Sequence, residues 1–200
     1  MTNSEVTLFA KLFYEIGSLR KVMRAHQQRL LTTDPTDTIA AHSFRTTTIG
    51  LMLAIQYEED IDILKVVVMC LLHDLPETRT NDHHWAQKKY VKTYDMEVLI
   101  AQLEELSGSI SLLEIMKEYE ERITTESIIA KDADLLDQML LMREYELQGN
   151  RQATKWLNED DGESKTEKLM VTTTAKKLAI EIKNQSPGDW TYGISTSKRR

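Results

Sequence analysis

The sequence has few of the residues that interrupt helices. It contains only seven glycines and three prolines in 200 residues. Long stretches rich in Leu, Ile, Met, Ala, Glu and Lys place apolar residues every three or four positions, which is the spacing of amphipathic helices. Strands have few places to begin, so the sequence predicts an all-α fold.

Disulfides and long apolar runs are also missing. The one cysteine, Cys70, has no partner for an intrachain disulfide. It lies in the longest uninterrupted apolar run, residues 66–72, which is far shorter than the roughly 20 residues that span a bilayer. The N-terminus alternates charged and apolar residues and lacks the pattern of a signal peptide. We therefore expect a cytoplasmic protein that does not associate with membranes.

Acidic residues outnumber basic ones, 32 to 25. The formal net charge is -7, and the only basic cluster is the tail at residues 198–200. Such a surface repels the phosphates of a nucleic acid polymer. A small anionic substrate remains possible, because a metal ion and one or two arginines can reverse the potential inside a pocket.

The chain has enough apolar material, 41% of its residues, for one core. We predict a single domain over residues 1–200, with a core at about 19–148 and a C-terminal helix at about 166–183 that packs on it. The predicted helices are 4–24, a helix that runs through His42 to about 57, one from Asp60 or Asp62 to about His73, and then 85–91, 95–106, 110–122, 126–148 and 166–183.

Two histidines lie on faces that the helical pattern turns inward. His42 shares a face with Thr46, Ile49 and Leu53, and His73 continues the buried stripe of the next helix. Pro76 disfavours helical geometry at the residue before it, so the helix should end near His73 and Asp74, beside a loop. Neutral imidazoles and carboxylates that converge from fixed elements are what a divalent metal requires.

These residues occur in three blocks: Ala41-His42-Ser43, then residues 70–74 ending in His73-Asp74, then residues 130–134 ending in Asp134. In this order they resemble the HD-domain phosphohydrolase superfamily, and more narrowly the branch of bacterial 5′-deoxynucleotidases and their eukaryotic HD-domain relatives. The resemblance extends from about residue 19 to 146. It implies a single-domain helical bundle in which His42, His73, Asp74 and a later aspartate hold one metal ion.

The periodicity of the later helix does not identify that aspartate, because the helix is apolar on several sides and carries Asp132, Asp134 and Asp137. The pattern of the family selects Asp134. The metal stays open, since two imidazoles and two carboxylates suit Mn, Fe, Co, Ni, Zn or Mg.

The resemblance also implies catalytic and substrate-binding residues. Glu77 and Asp82 stand where this branch has its acid-base carboxylates, with Asn81 where relatives often have glycine. Arg24 ends a block, residues 19–24, whose last arginine receives the substrate phosphate. The following residues, 25–27, replace a small residue, glycine and tryptophan, which leaves the selectivity for base and sugar open.

On this resemblance the sequence predicts a metal-dependent phosphohydrolase that converts deoxyribonucleoside 5′-monophosphates to nucleoside and phosphate, and a homodimer. Two alternatives are an enzyme for a cyclic or polyphosphorylated nucleotide and a non-catalytic, metal-stabilised protein that binds nucleotides. The acidic loop at residues 160–163 resembles a fragment of a calcium loop but lacks the full ligand spacing. His83 and His84 are weaker candidates for metal binding, because adjacent histidines on a polar loop are usually solvated.

Overall fold

The computed structural model describes residues 2–57, 59–159, 162–192 and 194. These residues form helices and no β-sheet, which confirms the predicted all-α class. The α-helices are α1 (Asn3–Gly17), α2 (His26–Leu30), α3 (Ile39–Ile55), α4 (Ile63–Leu72), α5 (Glu77–Thr80), α6 (Trp85–Lys88), α7 (Asp95–Leu103), α8 (Ser109–Glu121), α9 (Thr125–Leu147), α10 (Arg151–Leu157), α11 (Lys165–Leu169) and α12 (Thr173–Asn184). Short 3₁₀ helices span Ser18–Lys21 and Asp189–Thr191.

The long helix α9 is the centre of the bundle. Helices α3, α4, α8, α10, α11 and α12 all pack against it. Its apolar residues therefore face several sides, and Ile129, Leu136, Met139 and Met142 are at most 1% exposed. This burial explains why the sequence pattern of α9 shows no single inward face.

Helices α3 and α4 approach each other closely because α3 has a glycine at the contact. A Cβ atom on Gly50 would lie 2.5 Å from Cys70 Sγ and 3.4 Å from Val66. Any larger residue would push the two helices apart. This contact sets the spacing between the helices that carry His42 and His73.

The first predicted helix, 4–24, is too long. Helix α1 ends at Gly17, and the backbone is extended at Val22. Here the chain pairs with the segment before α3: Ile39 N donates to Val22 O, and Arg24 N donates to Asp37 O. Backbone groups that are bonded to another segment are not available to a helix, so Arg24 lies on an irregular segment beside α3.

The C-terminal helix predicted at 166–183 is two helices, α11 and α12, separated at Met170–Thr172. The reason is Asp132 on α9. Its carboxylate accepts hydrogen bonds from the backbone N–H of Val171, at 3.0 Å, and from the N–H and hydroxyl of Thr172, at 2.8 and 2.6 Å. The break gives the aspartate its partners, and α12 packs on α9. Within the described residues, no helix is both long and apolar enough to cross a membrane.

Candidate active site

Three helices bring the four predicted metal ligands together. Helix α3 carries His42, α4 ends immediately before His73 and Asp74, and α9 carries Asp134. The Nε2 atoms of the two histidines are 3.3 Å apart. His42 Nε2 also lies 3.3 Å from Asp74 Oδ2 and 3.3 Å from Asp134 Oδ1. Donor atoms of His42, His73 and Asp134 thus all lie within 4.8 Å of one another, as binding of a single ion requires, and Asp74 lies beside both histidines.

The outer nitrogen of each imidazole is held by an acceptor. His42 Nδ1 lies 2.6 Å from Asp137 Oδ2, and His73 Nδ1 lies 3.0 Å from the carbonyl oxygen of Cys70. Each Nδ1 therefore donates its hydrogen outward, and Nε2 is left as the atom directed at the common volume. This arrangement fixes both the tautomer and the orientation of a metal-binding histidine.

Helical periodicity did not show which of the three aspartates of α9 faces the histidines, and in the structure the three have different surroundings. Asp134 is the one whose carboxylate lies beside His42 Nε2. Asp137 is on the opposite edge of the same imidazole, where it also accepts from Arg45 Nε. Asp132 is 1% exposed and accepts from the N–H and hydroxyl of Thr172, the residue immediately before α12. The position that the family pattern selected, Asp134, is thus the one at the cluster.

The pKa values in the cluster reflect its dense charge. Burial alone would lower the pKa of His42, but hydrogen bonds to the surrounding aspartates raise it to about 10. Burial prevails at His73 and lowers its pKa. Burial would raise the pKa of Asp134, but Lys131 and the two imidazoles hold it well below its usual value; the imidazoles likewise lower that of Asp74. Ionised carboxylates therefore surround the imidazoles and favour a cation.

A second group of polar side chains lies against the cluster. Arg24 is 8% exposed, and its Nη1 lies 3.6 Å from Asp74 Oδ2. Its Nε lies 3.8 Å from Asp82 Oδ2, which also accepts from Ala25 N at 2.8 Å. Arg24 Nε and Glu77 Oε2 are buried, and neither has a hydrogen-bond partner among the described residues. Such atoms are costly to bury, so they mark a place where a further group fits.

Glu77 differs from its carboxylate neighbours in charge state. Burial raises its pKa, and the negative charges of Asp74 and Asp82 raise it further, to about 10. Glu77 therefore carries a proton at neutral pH, next to ionised Asp74. Carboxyl groups whose environments push their pKa values apart are typical of acid-base sites.

Glu15 holds the helix that carries Glu77, a role that was not predicted from the sequence. Its carboxylate accepts from Arg79 Nε at 2.6 Å, Gln102 Nε2 at 2.7 Å and Thr78 Oγ1 at 3.0 Å. These bonds tie α1 and α7 to the single turn α5, whose first residue is Glu77. A lone glutamate on an amphipathic helix has no motif that could have identified this role.

Asn81 ends α5 with an unusual backbone conformation. Its φ of 60° and ψ of 164° lie in a region that is almost restricted to glycine. Asparagine tolerates the left-handed helical region, but a ψ of 164° lies outside that region, so glycine would suit this position better. Glu77 and Asp82 lie on either side of Asn81 in the sequence, and both line the same cleft.

A cleft of about 570 Å³ opens over the site. His83 and His84 line its wall but are not part of the metal cluster: His83 Nδ1 bonds to the carbonyl of Asn81, whereas His84 caps α6 and bonds to Gln28. In the acidic loop at 160–163, Asp160 and Asp161 lie outside the described residues.

Comparisons with known proteins show which family the chain resembles. A family model described as the HD domain matches residues 16–174. The 5′-deoxynucleotidase HDDC2 of Dictyostelium discoideum is 26% identical over 129 residues, which cover 60% of this chain and 68% of that protein. A conserved hypothetical protein from Pyrococcus furiosus has a TM-score of 0.72 at 26% identity, over 88% of this chain and 99% of the other. A predicted metal-dependent phosphohydrolase from Magnetospirillum magnetotacticum shares the fold, with a TM-score of 0.60 at 21% identity, over 90% and 96% of the two chains.

The chain belongs to the HD-domain family, because the family model matches most of its length. The resemblance drawn from His42, His73-Asp74 and Asp134 is thereby confirmed at the level of the family. At this coarse level the protein is a metal-dependent phosphohydrolase whose site contains histidine and aspartate donors.

Proposed function

We propose that this protein hydrolyses deoxyribonucleoside 5′-monophosphates to nucleoside and phosphate, with one divalent metal ion held by His42, His73, Asp74 and Asp134. One observation carries the proposal. The two Nε2 atoms and two carboxylates converge at the base of a cleft that also contains the partnerless buried atoms Arg24 Nε and Glu77 Oε2. The similarity to the Dictyostelium 5′-deoxynucleotidase supports the choice of substrate.

The donor set fits a divalent transition metal. Imidazole and carboxylate together suit Mn, Fe, Co, Ni or Zn, and Mg accepts the carboxylates. Asp137 and the Cys70 carbonyl already hold the imidazoles with Nε2 turned inward. Bound there, the ion supplies Lewis-acid polarisation of the phosphoryl group and activation of water.

Arg24 is the proposed phosphate-binding residue. Its guanidinium is held by Asp74 and Asp82 at 3.6 and 3.8 Å, distances too long for close hydrogen bonds. Its buried Nε has no partner among the described residues. A phosphate oxygen could therefore accept from Arg24 without breaking an existing strong bond, and the charge would offset that of the substrate.

Glu77 and Asp82 are the proposed acid-base pair. Glu77 holds a proton on its carboxyl group at neutral pH because its pKa is raised to about 10, so it is suited to protonate the leaving 5′ oxygen. Asp82 is fixed by the N–H of Ala25 at 2.8 Å, so it is suited to orient the attacking water and take its proton. Glu77 would thus act as the acid and Asp82 as the base.

The test is a panel of phosphate esters with the purified protein and added Mn²⁺ or Co²⁺, scored for free phosphate. We expect release from deoxyribonucleoside 5′-monophosphates and much less from cyclic or polyphosphorylated nucleotides. Glu77→Gln should keep its metal and lose about 10²- to 10⁴-fold in kcat. Asp134→Ala should lose both metal and activity.

Glu120→Gln is the matched control, because Glu120 is an exposed carboxylate on the same cleft. It should keep the wild-type rate. Preferred cleavage of a cyclic or polyphosphorylated nucleotide would replace the proposed substrate. Metal binding without cleavage of any ester would contradict hydrolysis and favour a nucleotide-binding scaffold.

A further inference from the structure

The cleft is also lined by aromatic and cationic side chains that the proposed phosphate site does not use. Two indoles line it: Trp156 from α10 and Trp85 from α6, together with Arg29 from α2 and Lys165 from α11. No metal ligand proposed above comes from these four helices. These four side chains are therefore available to the part of a substrate that does not react.

Each of the two indoles has a cationic side chain near its ring. Trp156 is 7% exposed, and the Arg29 guanidinium lies 4.1 Å from its ring centroid. The same guanidinium lies 5.9 Å from the ring of Trp85, and Lys165 Nζ lies 5.8 Å from that ring. In the described part of the chain, neither Arg29 nor Lys165 has a carboxylate within 4.0 Å. No hydrogen-bond acceptor among the described residues is recorded for either side chain, so their N–H donors can meet acceptors on a ligand.

Trp85 is held in place although it is 64% exposed. It is the first residue of α6, which His84 caps by accepting from Ala86 N. His84 Nε2 also lies 3.1 Å from Gln28 Oε1, which fastens α6 to α2. An indole that is exposed on a fastened element and lines the cleft presents a flat, rigid apolar face to a ligand.

His26 and Gln27 are buried near Trp156, and both side chains are already engaged in hydrogen bonds. His26 and Gln27 are 4% and 8% exposed. His26 Nε2 bonds to Asp37 at 2.9 Å, and both polar atoms of the Gln27 amide bond to the segment around Asp34. These side chains shape the floor beneath Trp156, which His26 meets edge-on at 6.4 Å. Their bonds leave them poorly placed to contact a substrate base directly.

We propose that Trp85 is the stacking platform for the nucleobase, with Arg29 and Lys165 donating to acceptors on the edge of the base. This inference rests on the proposed function, since it concerns the nucleoside part of the same substrate. Stacking on an indole suits any purine or pyrimidine, because every base has a π-face, and cations near the ring add to it. The platform selects nucleotides over simple sugar phosphates.

Binding to the metal-free protein tests this without turnover. We expect 2′-deoxyadenosine 5′-monophosphate to quench tryptophan emission saturably and 2-deoxyribose 5-phosphate to leave it unchanged. Trp85→Phe should remove the quench, whereas Trp190→Phe should keep it. Trp190 is the matched control, because it is 75% exposed and does not line the cleft. A quench that persists in Trp85→Phe would overturn the assignment.

Kinetics of the metal-loaded protein give the second arm. Trp85→Ala should lower kcat/KM for the nucleotide tenfold or more, mainly through KM, which corresponds to about 1.4 kcal/mol. It should leave kcat/KM for 2-deoxyribose 5-phosphate unchanged, and Trp190→Ala should change neither. Equal loss on both substrates would overturn the platform while phosphohydrolysis stands. If no ester is cleaved, the proposed function fails and the fluorescence arm alone decides the base site.

Discussion

Asp137 should control metal affinity although it lies outside the proposed ligand set. Its Oδ2 is 2.6 Å from His42 Nδ1, and its Oδ1 accepts from Arg45 Nε. Removal of such a support typically costs 10- to 100-fold in metal affinity. For Asp137→Ala this corresponds to a loss of about 1.4 to 2.8 kcal/mol in binding free energy.

The isosteric variant Asp137→Asn should be at least as damaging. Arg45 donates to Oδ1 and so requires the amide oxygen at that position, which turns the amide nitrogen toward His42. An N–H group facing Nδ1 makes that nitrogen an acceptor, so the proton moves to Nε2. The imidazole would then present a hydrogen, not a lone pair, to the metal.

The measurement is competition with a fluorescent chelator for Co²⁺ or Zn²⁺ at fixed pH. Asp132→Ala is the matched control, because Asp132 is an equally buried aspartate on the same helix that accepts its hydrogen bonds from Val171 and Thr172, between α11 and α12. It should lower Tm and leave metal affinity unchanged. If Asp137→Asn binds metal as tightly as the wild type, the reasoning about the tautomer is refuted.

Three further predictions concern stability. Gly50→Ala should destabilise the fold by about 1–3 kcal/mol in denaturant unfolding, because its Cβ meets Cys70 Sγ, and adding Cys70→Ala should relieve part of the loss. No relief would place the strain elsewhere. Asn81→Gly should stabilise by about 1 kcal/mol, since it removes a glycine-like conformation from asparagine; a lower Tm would contradict this. The pKa of Glu77 is about 10 in the folded protein, whereas its ordinary value, expected for the unfolded chain, is 4.5. Between these pH values the folded state binds the proton and the unfolded state does not, so the free energy of unfolding falls as the pH rises. Glu77→Gln should therefore stabilise the metal-free protein more at pH 8 than at pH 5, and an equal effect at both would contradict the raised pKa.

The helices that pack on several neighbours were predictable, whereas the short helices α2 and α5 were not. The short helix α6 begins at the predicted residue, Trp85, but ends at Lys88 and not at 91. Helices α3, α4, α8 and α9 carry enough apolar residues to show their period in the sequence, and their predicted bounds differ little from those observed. Helices α2 and α5 have five and four residues, too few to display a period. Their existence depends on tertiary contacts, such as the bonds from Glu15 to α5.

Local sequence patterns also could not predict that Arg24 lies on an irregular segment. Residues 19–24 continue the apolar spacing of α1, so the sequence favours a longer helix. The competing interaction is pairing with residues 37–39, which is distant in the sequence and leaves no local signal. Because of that pairing, Arg24 meets Asp74 and Asp82. A prediction of its neighbours needed the fold.

The three aspartates of α9 illustrate why the site needed both a motif and a structure. A central helix buries every side, so burial does not distinguish Asp132, which is 1% exposed, from Asp137, which is 2% exposed. Each is stabilised by a different set of donors: backbone N–H groups for Asp132, His42 Nδ1 and Arg45 for Asp137. Among the described residues, Asp134 has Lys131 and His42 as its close ion-pair partners, and it is more exposed than Asp132 or Asp137. An ionised carboxylate with spare acceptor capacity at an open cleft is the one that can still bind an ion, which is a physical reason for the family pattern to place its ligand at Asp134.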